Sequence, residues 1–353
     1  MKKSKGLQNF SAYFACLLSG LSFFSLPTGA ENFVSAIITQ VLTLAAIFAF
    51  SCILLKIKEA VSTDGKFENH GTDLFFSILG VAFCAAAYAF FTKMFVTHLP
   101  SVSHEFSGAR FSHFFVFLSL LLSVYIGKRS FFSYSGVSVL ILPILVLPFV
   151  LTFFNFLEYG KAFDAASFAT KPSFSLNCVF DALINCAGIS TLIFLKEPQG
   201  CGGAKKGLGA AFLAFAVLTV FEGAKYLLWF GKDNLPLVVR PDRTMLSQVP
   251  FMNVQEIFLF SWYFAYMLKI VVFSMAARFF VQNILNFGTK RKRSPEWTGY
   301  LLTAVLLYSA FLFLPYSQSK IFAIAAFSGT FVCFFGVFLA RMVQNRRKRR
   351  NTS

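Results

Sequence analysis

The sequence predicts an all-α polytopic membrane protein of about ten transmembrane helices. Three observations carry that prediction. Of 353 residues, 57% are hydrophobic and 13% charged, and the mean hydropathy is +0.68; a soluble domain carries about twice that charged fraction. Fifty phenylalanines are spread over many separate apolar runs, more than one water-soluble core would hold. The charges fall between those runs and at the chain ends, where charge sets topology.

A window of about 20 apolar residues crosses the hydrocarbon core. Ten such windows run in order at 8–27, 32–55, 73–97, 111–127, 136–157, 174–195, 207–230, 254–285, 297–315 and 321–343. The first follows the basic Lys2, Lys3 and Lys5 and closes at Pro27. It reads as an uncleaved span, although Thr28-Gly29-Ala30 also has the form of a signal-peptide cleavage site. The fifth holds Pro143 and Pro148, each of which removes a backbone donor, so a kink is expected. The seventh carries Glu222 and Lys225 at i, i+3, the spacing of a structural ion pair near its outer end. Residues 231–253 form the longest outer loop, with room for a short helix or a lid.

Lysine and arginine set the orientation. With both termini cytoplasmic, 21 of the 32 basic residues lie on inner segments and 8 on outer ones, leaving Lys93, Lys269 and Arg278 within spans. The net charge of +17 is therefore topological. No zinc-finger spacing, RNP motif or soluble basic domain accompanies it, which argues against nucleic acid as a partner. Residues 344–353, with Arg346, Arg347, Lys348, Arg349 and Arg350, read as a basic cytoplasmic tail on anionic membrane lipid. The seven cysteines show no CxxC and no Cys/His metal spacing; all but Cys201 lie in apolar runs and read as free thiols. No metal or cofactor is expected.

Ten spans form one membrane domain, 1–353, that divides into two sets of five, 8–157 and 174–343. An odd number of spans per half gives halves of opposite orientation. That is the inverted repeat of many secondary transporters, whose discontinuous helices bind substrate near the midplane. Ser19, Gly20 and Ser22 sit centrally in span one, as Gly188 and Ser190 do in span six, so paired helix breaks are expected there. Close packing through small residues is the equal alternative. Asn177, Asp181 and Asn185 recur at i, i+4 and i+8 on one face of span six. Polar groups in lipid are costly, so that face should turn to the bundle interior or a wet cavity. Tyr88 in span three is placed at the same pocket, with plain packing as its alternative. The candidate ligand-binding set is thus Ser19, Gly20, Ser22, Tyr88, Asp181, Asn185, Gly188 and Ser190.

Lys269 lies near the middle of span eight, roughly 22 Å from either end at a rise of about 1.5 Å per residue. An unpaired lysine at that depth costs about 2.5–3.5 kcal/mol, so it should face protein. Tyr266 and Trp262, one and two turns back, are its expected cation–π supports.

Two stretches carry a family resemblance. Ser22-Phe23-Phe24-Ser25-Leu26-Pro27, followed by Ala30 to Leu44, resembles the first helix, Leu-Pro exit and second helix of the GerAB-type spore-germination permeases. These are membrane subunits of germinant receptors in the amino acid–polyamine–organocation superfamily. The order Pro250, Glu256, Trp262, Lys269 is similar to the family's eighth helix. The arginine expected near the start of that helix is absent, and Met252-Asn253-Val254-Gln255-Glu256 stands there. The resemblance covers nearly the whole chain in span number and spacing, and it marks a divergent member. It implies a LeuT-like 5+5 inverted repeat and an amino acid or similar small ligand. It also implies receptor A and C subunits as partners, in a spore inner membrane or cell membrane. In LeuT-like sodium transporters the first and eighth helices hold a cation. The resemblance therefore implies that the Lys269 ammonium stands in for that ion, against carbonyls near Ser19 and Gly20. A structural ion pair with Asp181 is the alternative.

Four function classes remain. The expected one is a germinant-receptor subunit that senses a small ligand through a transporter-like pocket; the runner-up is a proton-coupled amino acid permease. An intramembrane transferase has only His98, His104, Glu105 and His113 to offer, without a convergent base, acid and groove, so an enzyme with catalytic residues is not expected. The fourth class is a structural or assembly protein.

Overall fold

A computed structural model describes residues 2–21, 33–62, 71–98, 109–127, 130–159, 176–195, 202–231, 254–287, 295–314 and 320–352. Within them the backbone is helical apart from short turns. The helices are α1 (Lys2–Leu21), α2 (Phe33–Ser62), α3 (Gly71–His98), α4 (Ala109–Gly127), α5 (Ser130–Tyr159), α6 (Leu176–Asn185) and α7 (Ile189–Leu195). They continue with α8 (Gly202–Phe230), α9 (Val254–Leu285), α10 (Glu296–Phe313) and α11 (Lys320–Thr352).

Eight stretches of these helices are long and apolar enough to cross a membrane: Val34–Lys58, Gly71–Thr97, Ser133–Phe154, Cys178–Leu195, Ala204–Phe230, Tyr263–Leu285, Glu296–Phe313 and Ile321–Ala340. Helices saturate their own backbone hydrogen bonds, which lipid cannot do for them. This is the architecture of an all-α, multi-pass membrane protein. α1 and α4 are helical at the two remaining predicted positions, and the apolar part of α4 is His113–Ser123. The tail expected at 344–353 continues α11 as helix to Thr352. The Leu26-Pro27 exit, the cleavage-like Thr28-Gly29-Ala30 and the long loop after Gly231 lie outside the described residues.

By contact the chain divides into two compact units. One comprises Met1–Phe50, Ser135–Ala187 and Gly202–Leu268; the other comprises Ser51–Tyr134, Gly188–Cys201 and Lys269–Ser353. Each unit draws on both sequence halves.

In the first unit α1 packs against α8 and α6. Gly207 lets α8 come close: a Cβ there would lie 2.8 Å from Asn9 Cβ and 3.0 Å from the Phe10 nitrogen. Lipid tails are as apolar as leucine, so helices associate through such close packing and not by hydrophobic expulsion. α5 runs on as one helix through Pro143 and Pro148. The Thr152 hydroxyl donates to the Pro148 carbonyl at 2.9 Å.

In the second unit α3 packs against α10 and α11, α4 against α10, and α7 against α11. Phenylalanines fill these seams. Phe91, Phe273 and Phe327 stack mutually with centroids 5.2–5.7 Å apart. The rings of Phe76, Phe83 and Phe280 lie against Gly336, Gly329 and Gly80, where any Cβ would overlap them. Rings seated on glycine gain dispersion contact that branched side chains would block. α10 ends where Leu314, preceding Pro315, turns extended (φ −71°, ψ 131°), the conformation a following proline enforces. The Lys93 ammonium donates to the Leu314 carbonyl left over at that end.

Candidate functional site

The site begins with a break in span six. α6 stops at Asn185, residues 186–188 form a turn, and α7 starts at Ile189. Gly188 has φ +97°, a conformation that glycine adopts freely and L side chains resist. The Cys186 amide still donates to Ala182 O at 3.0 Å, and the Ala187 amide tightens to Ile184 O at 3.0 Å. The helical pattern resumes with Leu192 N–H to Gly188 O at 2.9 Å. The break expected around Gly188 is therefore present. The thiol of Cys16 in α1 points its weak donor at the Ala187 carbonyl, at 3.8 Å.

Asp181 and Asn185 lie one turn apart just before the break and are buried, at 4% and 3% exposure. Two of the three residues of the predicted polar face are thus inside the protein. Ser190 is half-buried at the start of α7. Side chains of Asn177 and Trp262, the surroundings of Gly20, and Ser22 altogether lie outside the described residues.

Of the second expected break, at Ser19, Gly20 and Ser22, the first two positions fall within the described residues. α1 stays helical through Ser19 and Gly20 to Leu21. Ser19 is fully buried, and its hydroxyl donates to the Cys16 carbonyl one turn back at 2.7 Å. A single glycine weakens a helix by only about 1 kcal/mol, less than the several kcal/mol that an unsatisfied backbone group costs in lipid. Propensity alone does not open a helix there.

Tyr88 is fully buried, and its hydroxyl lies 2.8 Å from Ser119 Oγ on α4. Ser119 itself donates to the Val116 carbonyl at 2.7 Å, so Tyr88 is the donor of the pair. Thr92 donates to the Tyr88 carbonyl at 2.7 Å. This network fixes Tyr88 to α4, as the packing alternative requires.

Lys269 has no exposed surface, and its Nζ lies 6.0 Å from the centroid of Phe91 on α3. That ring belongs to the Phe91–Phe273–Phe327 stack. Aromatic support for the lysine thus includes another helix, where the sequence pointed to Tyr266 and Trp262 of its own. Periodicity reports neighbours along one helix and is blind to rings across a seam.

Three further membrane-embedded cations surround their charges differently. Lys225 pairs with Glu222 as expected, and both are almost fully buried; its ammonium also donates to Thr152 Oγ1 on α5 at 2.7 Å. Lys58 was missed. It lies beyond the apolar window at 32–55, among the charges of an inner segment, yet it is 6% exposed and donates to the Ile193 and Phe194 carbonyls at 2.6 and 2.8 Å. It caps the C-terminus of α7, where helix carbonyls lack partners and the dipole favours a cation. The available signal was that α2's apolar run continues past Lys56 to Lys58 without a glycine or proline stop. Arg278 stacks on Tyr300, 3.7 Å from guanidinium carbon to ring centroid.

Among the described residues no three His, Cys, Asp or Glu side chains gather as a metal site. His113 Nδ1 lies 3.1 Å from the Tyr308 hydroxyl. The side chain of His98, and His104 and Glu105 entirely, lie outside the described residues. The six cysteines described are free thiols, five of them buried. No protein-family model matches the chain, and no curated protein is significantly similar to it.

Proposed function

We propose that the chain is a ligand-sensing membrane subunit of a spore germinant receptor, built on a LeuT-like transporter fold and binding an amino acid or similar small molecule. The observation that carries this reading is the interruption of span six at Gly188, flanked by buried Asp181 and Asn185. A helix broken at the midplane beside a buried acid is the way transporter folds present backbone groups to a polar ligand. The GerAB-like order of residues in spans one, two and eight supports the choice of family. Within the repeat reading, spans one and six are counterparts, as are spans four and nine. α1 packs on α6 and α4 on α10, as counterparts related by a pseudo-two-fold axis would.

In this reading Lys269 is a fixed cation that makes sodium coupling unnecessary. Partner A and C subunits complete the receptor, both termini face the cytoplasm, and the membrane is the spore inner membrane or the cell membrane. The runner-up is a proton-coupled amino acid permease with the same pocket. Reconstituted full-length protein separates them. The proposal expects at least one amino acid to raise the melting temperature while no labelled amino acid accumulates in proteoliposomes. Accumulation driven by a proton gradient would replace the sensor by the permease, and failure of every amino acid to bind would overturn both.

A further inference from the structure

The basic end of α9 holds a second site, independent of the span-six break. A cavity of about 260 Å³ is lined there by Phe194 of α7 and by Met275, Arg278, Phe279, Gln282 and Asn283 of α9. The α9 residues recur at i, i+3/4 and i+7/8, so they form one face of the helix. Their chemistry is graded along the axis. Met275 and Phe279 lie towards the helix middle, and the amides of Gln282 and Asn283 lie nearest its end. Four basic residues, Lys290 to Arg293, follow in the sequence.

Arg278 is the charged member of that lining. Its guanidinium is held over Tyr300, and one of its nitrogens lies 4.0 Å from a carboxylate oxygen of Glu296, a side chain that is 74% exposed. Stacking fixes the plane of the guanidinium, whose N–H fork matches phosphate oxygens bidentately. Gln282 is held in place from α10, since a Cβ on Gly299 would collide with its Oε1. Lys58 covers the carbonyls of Ile193 and Phe194 at the neighbouring helix end, which would otherwise repel an anion. The volume falls below the roughly 300–1,000 Å³ of sites for drug-sized molecules, and it suits a headgroup whose chains remain outside.

We propose that this cavity binds the phosphate headgroup of an anionic phospholipid. Arg278 takes the phosphate, Gln282 and Asn283 take the polar glycerol end, and Phe279 and Met275 meet the start of an acyl chain. The apolar half of the lining selects a lipid over free phosphate, which would leave it unused. Basic pockets between membrane helices recognise anionic headgroups in this way.

The test is native mass spectrometry of the full-length chain titrated with phosphatidylglycerol or phosphatidylcholine. One phosphatidylglycerol should be retained in preference to phosphatidylcholine. Arg278→Gln should weaken retention about tenfold, the effect of losing one charge-assisted contact, and Arg278→Lys should weaken it less. Lys205→Gln with Lys206→Gln, two exposed residues at the start of α8, should leave it unchanged. Equal retention in Arg278→Gln, or displacement of the lipid by millimolar inorganic phosphate, would overturn the proposal. Should Arg278→Gln fail to fold, photo-crosslinking on the wild-type protein decides. A photoactivatable phosphatidylglycerol should label the peptide containing Met275 to Asn283, and labelling confined to other segments contradicts the assignment.

Discussion

Lys225 and Lys58 are both lysines buried among apolar helices, one in each compact unit, and they meet different kinds of partner. Lys225 of the first unit meets the Glu222 carboxylate and the Thr152 hydroxyl, so the cluster carries no net charge. Lys58 of the second unit meets two carbonyls at a helix end, which offer only about half an elementary charge of opposite sign. Its neighbours in that unit follow the same rule: Lys93 rests on the Leu314 carbonyl, with the Phe311 ring 5.9 Å from its ammonium, and Lys269 lies over Phe91. Arg278 adds a tyrosine ring to a distant, exposed carboxylate. Lys225 of the first unit thus meets an acid and a hydroxyl, and the contacts of Lys58, Lys93 and Lys269 in the second include carbonyls and rings.

The contrast is broken most directly at Glu222. Glu222→Gln removes the carboxylate paired with the buried Lys225 ammonium and should cost about 3–5 kcal/mol, the penalty for removing one partner of a buried pair. Reversible denaturant unfolding measures it. The double variant Glu222→Gln with Lys225→Met should recover most of that loss; no recovery would mean that the acid acts through something other than its lysine. Lys58→Met is the matching change in the second unit. It removes the ammonium itself and leaves two carbonyls to be resatisfied, so the expected loss is smaller, about 1–3 kcal/mol in the same assay. A loss as large as that of Glu222→Gln would erase the distinction between the units.

Smaller effects on stability, with larger effects on function, are expected at Lys269 and Asp181, each taken by itself. Lys269→Met keeps the stem's bulk, should insert and fold normally, and should lose ligand-induced stabilisation. Strict sodium dependence of the unmodified protein would also contradict the role given to this lysine. Asp181→Asn is nearly isosteric and should shift stability by under about 1 kcal/mol, as volume-conserving changes do, while altering ligand affinity. Wild-type affinity in that variant would return Asp181 to a purely structural role.

Much of the fold could be read from hydropathy, because a membrane span must be a long apolar run whatever it packs against. The window at 254–285 coincides with α9, and that at 73–97 lies within α3. Hydropathy sees the bilayer and not the helix, however, so it ended span two near residue 55 while α2 continues through Lys58 to Ser62. That continuation is what brings Lys58 to α7, a contact 135 residues distant in sequence. The break at Gly188 was legible from Ala187-Gly188 beside the polar face of Asp181 and Asn185. At Ser19 and Gly20 the same kind of residue stands in unbroken helix, because small residues also permit close packing and Ser19 bonds its own helix; Ser22 lies outside the described residues. Partners across a seam, such as Phe91 for Lys269 and Tyr300 for Arg278, leave no trace in local spacing.

The central claim is that the interruption at Gly188 forms a ligand site, and Gly188→Leu tests it. Its φ of +97° would cost a leucine about 1–2 kcal/mol, leaving a folded protein with a distorted break. The measurement is isothermal titration of purified wild-type and Gly188→Leu proteins with the amino acid that most stabilises the wild type. Binding should be clear in the wild type and at least tenfold weaker in the variant. Equal affinity in a folded Gly188→Leu protein would contradict the account.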